Sequence, residues 1–285
     1  MLRNNANSMQ TPLSRMSTPQ NMLDIVTASR FIKRMGSGRT KPCLIECDAD
    51  EENTVELVVK CSAGCMEKEK NLVLESISAM LGADLELPVP EPFVVLIDND
   101  FIELIPEEEI RDIFQRGCRY AFGSRFLTSG FSVWSNGDKV PEPLANRAAE
   151  VFVFDAIIVN SDRRPDNPNC LFTGKEFAIF DHELTFTQSQ ILFWKEPWIE
   201  GGLDQMNGKE RHIFARHYFE KKPDNLSRMV EVWGNLPVSR FEDYRNALPV
   251  EWIGDGIYID EIIGYLKNVK SNIQVIVDHA LKVFK

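Results

Sequence analysis

The sequence predicts an α+β protein in two lobes, a small β-rich N-terminal lobe with one helix and a larger, mainly helical C-terminal lobe. Short β-type runs between turn residues dominate as far as Ile105, a single helical stripe interrupts them, and helical patterns take over from Glu107. The chain has 285 residues, room for one large domain or two small ones at roughly 100–200 residues each. Ordinary proportions of apolar, aromatic and charged residues exclude a fibrous, collagen-like or wholly disordered protein. The longest apolar run, 151–159, is interrupted by Asp155 and falls far short of the roughly 20 residues that cross a bilayer. With no apolar leader at the N-terminus, these features read as a soluble, cytoplasmic chain.

Charge narrows the function classes. Lys and Arg total 32 against 43 Asp and Glu, and the formal charge of −11 argues against a general nucleic-acid or anionic-membrane surface. Residues 1–45 nevertheless carry a net +6, which leaves −17 on the rest. A cationic strip in an acidic protein suggests a bound anion, whereas residues 1–24 read as a solvated tail. Six cysteines are too sparse for a disulfide scaffold. Cys43/Cys47 and Cys61/Cys65 have loose zinc-like spacing, but Cys43 and Cys47 alternate within a β-type run and read as small buried thiols.

Taken in order, residues 1–24, rich in Asn, Ser, Met, Thr, Pro and Gln without hydrophobic period, predict a disordered extension. Strands are expected near 30–35, 43–47 and 55–60, joined by the turn Gly36-Ser37-Gly38 and a polar turn at 48–53, as an antiparallel meander. Leu74, Ile77, Leu81 and Leu85 mark a helix over 67–86, stopped by Leu87-Pro88-Val89-Pro90. Two further strands, 93–97 and 101–105, flank Asp98-Asn99-Asp100 and complete the first lobe, 25–105. In the second lobe, 106–285, a buried helix over 144–159 delivers the chain into a polar loop, 160–169. A short hairpin, 170–180, turns at Thr173-Gly174-Lys175. Helical patterns broken by Gly201-Gly202, Pro223, Pro237 and Pro249 carry the chain to its end, with the tryptophans packing that lobe.

Chemistry concentrates in that loop and hairpin. Asp162 and Asn167 are five apart, and Asp181 follows Asp162 by 19. One carboxylate can accept a hydroxyl proton, while a carboxamide and a second carboxylate supply the hard oxygens that hold magnesium in phosphoryl transfer. Asn169 is a rival ligand two residues beyond Asn167. Upstream, Lys60 ends a strand and Glu75 lies on the next helix, a pairing that can grip phosphates; Glu69 is the rival partner. Gly36, Ser37 and Gly38 could lay backbone N–H groups over a triphosphate. Neither Gly174-Lys175 nor Gly208-Lys209 is followed by Ser or Thr, so a P-loop NTPase is disfavoured.

The segments Gly36-Ser37-Gly38, Leu57-Val58-Val59-Lys60, Leu72-Val73-Leu74-Glu75 and Leu87-Pro88-Val89-Pro90 resemble the N-lobe of HipA-like kinases. Phe122-Gly123-Ser124-Arg125-Phe126 and Asn160-Ser161-Asp162-Arg163 extend the resemblance across roughly residues 28–190. The family is distantly similar to phosphoinositide 3-/4-kinase catalytic domains. The resemblance implies a bilobal protein-kinase-like fold and an ATP- and Mg²⁺-dependent phosphotransferase, a Ser/Thr protein kinase. Lys60 would hold the phosphates, Glu75 orient Lys60, Asp162 act as base, and Asn167 and Asp181 bind metal. It also implies a protein substrate and leaves room for a regulatory partner protein. Glu183 stands where many kinases have a glycine after the metal-binding Asp. The alternatives are a phosphoinositide or small-molecule kinase and a non-catalytic module that binds nucleotide or a partner.

Overall fold

Five strands close into a barrel in the order β1 (Asp24–Arg34), β2 (Cys43–Asp48), β3 (Thr54–Lys60), β5 (Tyr120–Arg125) and β4 (Pro92–Leu96). The computed structural model describes residues 22–36, 38–127, 130–135 and 137–285. Alternation along each strand builds two cores, because successive side chains point to opposite faces. Ile45, Leu57, Val59, Val95 and Ala121 fill the barrel interior, while Val94 and Phe122 face outward into a larger core shared with the helices.

The meander of the first three strands is present, but it is not open. A parallel β1–β4 pair, Ile25 beside Val94, and antiparallel pairing of β5 with both β3 and β4 close it, which leaves no unpaired edge. Of residues 101–105, expected as a strand, 101–103 instead belong to α2 (Asn99–Glu103) and none is a strand, because the Asp98 carboxylate caps that helix, accepting the Phe101 N–H at 2.7 Å. A further helix, α3 (Glu108–Arg116), leads into β5, so the β-rich part runs past residue 105. Leu23 is buried and Asp24 opens β1; residues 1–21, where most of the expected disordered extension falls, and Ser37 lie outside the described residues.

The helix α1 (Glu69–Asp84) is buried almost continuously from Asn71 to Gly82 rather than along one stripe, as befits a helix wedged between barrel and helical part. Its C-terminal Asp84 accepts a two-pronged hydrogen bond from Arg240 at 2.7 and 3.0 Å and one from the Tyr244 hydroxyl at 2.9 Å. Those partners lie on α6 (Ser239–Asn246). The remaining scaffold is α4 (Ala145–Ile157), α5 (Ser227–Asn235), α7 (Val250–Ile253) and the long α8 (Ile257–Phe284). A small sheet of β6 (Ser132–Val133), β7 (Cys170–Phe172) and β8 (Phe177–Ile179) packs Phe172 and Phe177 around the buried Trp134. Among the described residues no helix is long and apolar enough to cross a membrane. The chain is a mixed α+β protein.

Gly123 lies in the barrel wall where a Cβ would stand 2.7 Å from Val95 Cγ2 and 3.0 Å from Leu57 Cδ1. Gly123→Ala should therefore lower stability by about 1–3 kcal/mol, the usual penalty for overfilling a packed core, read from the urea midpoint. An unchanged midpoint would mean that the interior has slack at this position.

Candidate active site

Alternation along β3 sends Val59 into the barrel and Lys60 outward, towards α1. There the Lys60 ammonium meets three carboxylates: Glu75 Oε2 at 2.7 Å, Asp181 Oδ1 at 2.5 Å and Glu183 Oε2 at 3.1 Å. Glu69 does not take part. Burial alone would discharge the lysine, but Asp181, Glu75 and Glu183 together hold its pKa well above the ordinary value. Burial likewise favours the neutral acid at Glu75, yet Lys60 and His182 outweigh it and keep that carboxyl well below the carboxylate range. Glu183 differs: burial, reinforced by Asp181 and Glu75, raises its pKa despite Lys60. Glu75 uses its second oxygen to accept the His182 backbone N–H at 2.9 Å, so α1 grips both the lysine and the chain beyond β8.

Asp162 is built from the other side. The α4 helix ends at the loop, where the Asn160 N–H returns to the Asp155 carbonyl at 2.8 Å. Asp162 Oδ2 accepts from Asn167 Nδ2 at 2.8 Å and more weakly from Asn169 Nδ2 at 3.4 Å. Its Oδ1 lies 3.7 Å from the Arg164 guanidinium. With 26% of its side chain exposed, Asp162 can meet a reactant from outside. Asn169 and Asp181 both adopt left-handed backbone conformations, φ 42° and 63°, which Asn and Asp tolerate better than most residues. The Phe180 N–H donates to the Asn169 carbonyl at 3.1 Å, closing the hairpin base between them.

The two halves are joined by Arg163, which is fully buried. A guanidinium has five N–H donors, and each has an acceptor here. Nε and Nη2 reach the Asp155 carboxylate at 2.6 and 3.2 Å, Nη1 reaches the carbonyls of Asn169 and Phe180, and Nη2 also reaches His182 Nε2 at 2.9 Å. Because arginine only donates, His182 Nε2 must accept, and the ring proton sits on Nδ1, 3.6 Å from Glu75. Asp155 also accepts from Asn160 Nδ2 at 2.8 Å and from His212 Nε2 at 2.9 Å. The Phe214 N–H occupies His212 Nδ1 at 3.0 Å, which fixes the His212 tautomer. Burial favours the neutral acid at Asp155, but Arg163 and His212 overcome it and hold the carboxyl well below its ordinary range.

Asp162 and Asn167 thus meet directly, as do Lys60, Glu75 and Asp181. No hydrogen bond among the described residues joins Asn167 to Asp181. Gly36 is exposed, and Gly38, with φ +113°, has Pro42 2.8 Å from where a Cβ would stand. The pairing of Cys43 with Val59 puts this turn at the Lys60 end of the barrel, but neither glycine reaches the carboxylate cluster by hydrogen bond. Sequence reasoning missed Arg163, His182, His212 and the structural role of Asp155. The last had a signal: a carboxylate interrupting an otherwise apolar buried run must find a partner.

Asp155→Asn leaves Arg163 buried without its countercharge and should cost about 3–5 kcal/mol at neutral pH. Since the folded carboxyl is held below its unfolded pKa of about 3.9, its contribution is complete above that value and fades as the pH falls through it towards the folded pKa. The gap between wild-type and variant urea midpoints should therefore be widest above pH 5 and narrow towards pH 3. A gap independent of pH would show that the Asp155 charge is not what holds the loop.

No curated protein matches this chain. Among solved structures it is similar to a Helicobacter pylori proinflammatory kinase, CtkA, with 13% identity and a TM-score of 0.47, over 88% of this chain and 94% of that one. A family model described as HipA-like kinase matches residues 28–279. That match takes in the barrel, the loop and most of the helical part, so the chain belongs to the HipA-like kinase family and is a kinase-type phosphotransferase.

Proposed function

We propose that this chain is an ATP- and Mg²⁺-dependent Ser/Thr protein kinase, acting in the cytoplasm, with a bilobal kinase-like cleft between the barrel and the helical part. One observation carries the reading: the Lys60–Glu75 pair faces Asp181, and Arg163 ties Asp181's neighbours to the loop that holds Asp162.

The donor set fits a hard cation. Asp181 offers a carboxylate oxygen, and Asn167, whose Nδ2 is committed to Asp162, has its carbonyl oxygen left to ligate. Magnesium held by these two residues would neutralise charge on the phosphates. Lys60, kept charged by its carboxylate neighbours, would bind phosphate oxygens, and Glu75 would hold its Nζ in place. Asp162 would take the acceptor hydroxyl's proton on Oδ1, because Oδ2 is occupied by Asn167. Arg163 touches none of the reacting atoms. It positions Asp162 and Asp181 relative to one another, which is where most catalysis of phosphoryl transfer originates.

A second reading, a nucleotide- or partner-binding module without turnover, draws on Glu183, whose Oε2 lies 3.1 Å from Lys60 and adds a carboxylate where phosphate would bind. Purified wild-type and Asp162→Asn protein, incubated with radiolabelled ATP, Mg²⁺ and a cell lysate, separate the two. Wild type should label protein, and the variant should lose roughly 10²–10⁴-fold in transfer while binding ATP unchanged. ATP binding without label in protein would replace this proposal with the module reading, and label in extracted lipid would replace it with a lipid kinase.

A further inference from the structure

Residues 207–218 form a closed loop that no catalytic role absorbs. Its ends meet where the Asn207 Oδ1 accepts the Arg216 N–H at 3.3 Å, and the Tyr218 hydroxyl donates to the Lys209 carbonyl at 2.8 Å. The middle is anchored under the active site. His212 is buried against Asp155, and the Ile213 N–H donates to the Arg163 carbonyl at 3.1 Å, one residue from Asp162.

What the loop leaves outside is cationic. Lys209, Arg211 and Arg216 are all exposed, and among the described residues none of them forms an ion pair. Lys139 joins them, its Nζ donating to the His217 carbonyl at 2.9 Å and lying 5.4 Å from the Tyr218 ring centre. Glu210 is the one carboxylate within the strip. The carboxylates at the mouth of the site do not consume this charge, because Arg164 already lies 3.7 Å from Asp162 and 3.2 Å from Asp166. The surrounding chain is strongly acidic, with −17 over residues 46–285 even when these cations are counted, so a local run of unpaired cations is out of character with its surroundings.

We propose that this loop is the substrate-docking surface and that it selects acidic peptides, with Lys209, Arg211 and Arg216 receiving carboxylates that flank the phosphoacceptor. The proposal rests on the protein-kinase reading above and names its substrate class. Lys209 and Arg216 stand no more than four residues from Ile213, so each Cα is within roughly 15 Å of the Ile213 Cα, at about 3.6 Å per residue, and Ile213 is itself hydrogen-bonded to the residue after Asp162. An extended peptide advances about 3.3 Å per residue, so a span of that size corresponds to about five residues of substrate. A nucleic acid would need a longer basic surface, and the acidic remainder of the chain opposes a polyanion.

The test has a binding arm and a turnover arm. Two fluorescein-labelled peptides, a serine flanked by three aspartates on each side and its asparagine counterpart, are titrated by anisotropy against the full chain and a Lys209→Ala/Arg211→Ala/Arg216→Ala variant. Three exposed ion pairs are worth on the order of tenfold in Kd, so the aspartate peptide should bind wild type about that much tighter and lose the advantage in the variant and in 0.5 M salt. Turnover should follow, with KM for the aspartate peptide raised in the variant, kcat unchanged and asparagine-peptide KM unmoved. Equal binding of the two peptides, an advantage that survives in the variant, or stronger binding of a single-stranded oligonucleotide overturns the proposal. Selective binding without phosphate transfer to any peptide upholds the docking surface and counts against the kinase reading instead.

Discussion

A buried guanidinium organises this protein. Arg163 has no exposed surface, and a charge in that position is tolerated only when it is paired and its donors are all satisfied. The acceptors come from four places in the chain: the Asp155 carboxylate on α4, the Asn169 carbonyl before β7, the Phe180 carbonyl after β8 and the His182 ring beyond it. Satisfying one side chain therefore fixes a helix end, a loop and both ends of a hairpin together. Asp162, next in sequence to Arg163, inherits its position from that constraint, and so does Asp181, between Phe180 and His182. A lysine could not substitute, because three donors on a flexible stem cannot reproduce five in a rigid plane.

The second constraint is the lysine at the end of β3. Its surroundings are dry enough that an unpaired ammonium would lose its proton, and the three carboxylates around it reverse that tendency. The Lys60–Glu75 pair is held from behind. Asp84, on the last turn of α1, is clamped by Arg240 and Tyr244, Asn71 donates to the Glu183 carbonyl at 2.8 Å, and the Ser78 and Thr185 hydroxyls meet at 3.1 Å. Helix α1 is thereby docked on the helical part at its start, middle and end. The glutamate arrives at the lysine on a rigid element, which is what a site relying on preorganised charge requires.

The legible parts of the sequence were those governed by local pattern. Periodicity located β2, β3, α1 and α4, and proline and glycine punctuation located the hairpin, because backbone geometry dictates those signals over a few residues. The stretch around Asp98 is ambiguous in sequence, since Phe101, Ile102 and Ile105 suit a β-run as well as a helix and the decision lies with one capping carboxylate. Barrel closure was invisible for a different reason: the β1–β4 pairing joins residues nearly 70 apart, and no local pattern encodes it. Lys60, Glu75, Asp162, Asn167 and Asp181 stand out as candidates by residue type and spacing. The charges that position them do not, because a buried arginine in a polar loop looks, in sequence, like a surface arginine. Only its pairing with a carboxylate eight residues upstream, inside an apolar helix, distinguishes it.

The proposed nucleotide site draws on Lys60, Asp181 and Asn167 together. A crystal structure of the chain with Mg²⁺ and a non-hydrolysable ATP analogue tests it most directly. Lys60 Nζ should move from Asp181 onto phosphate oxygens while keeping Glu75, and Asp181 and Asn167 oxygens should lie within about 2.1 Å of the metal, with Arg163 and its acceptors undisturbed. Nucleotide bound elsewhere, or bound with Lys60 still held by Asp181 and Glu183, would contradict this proposal.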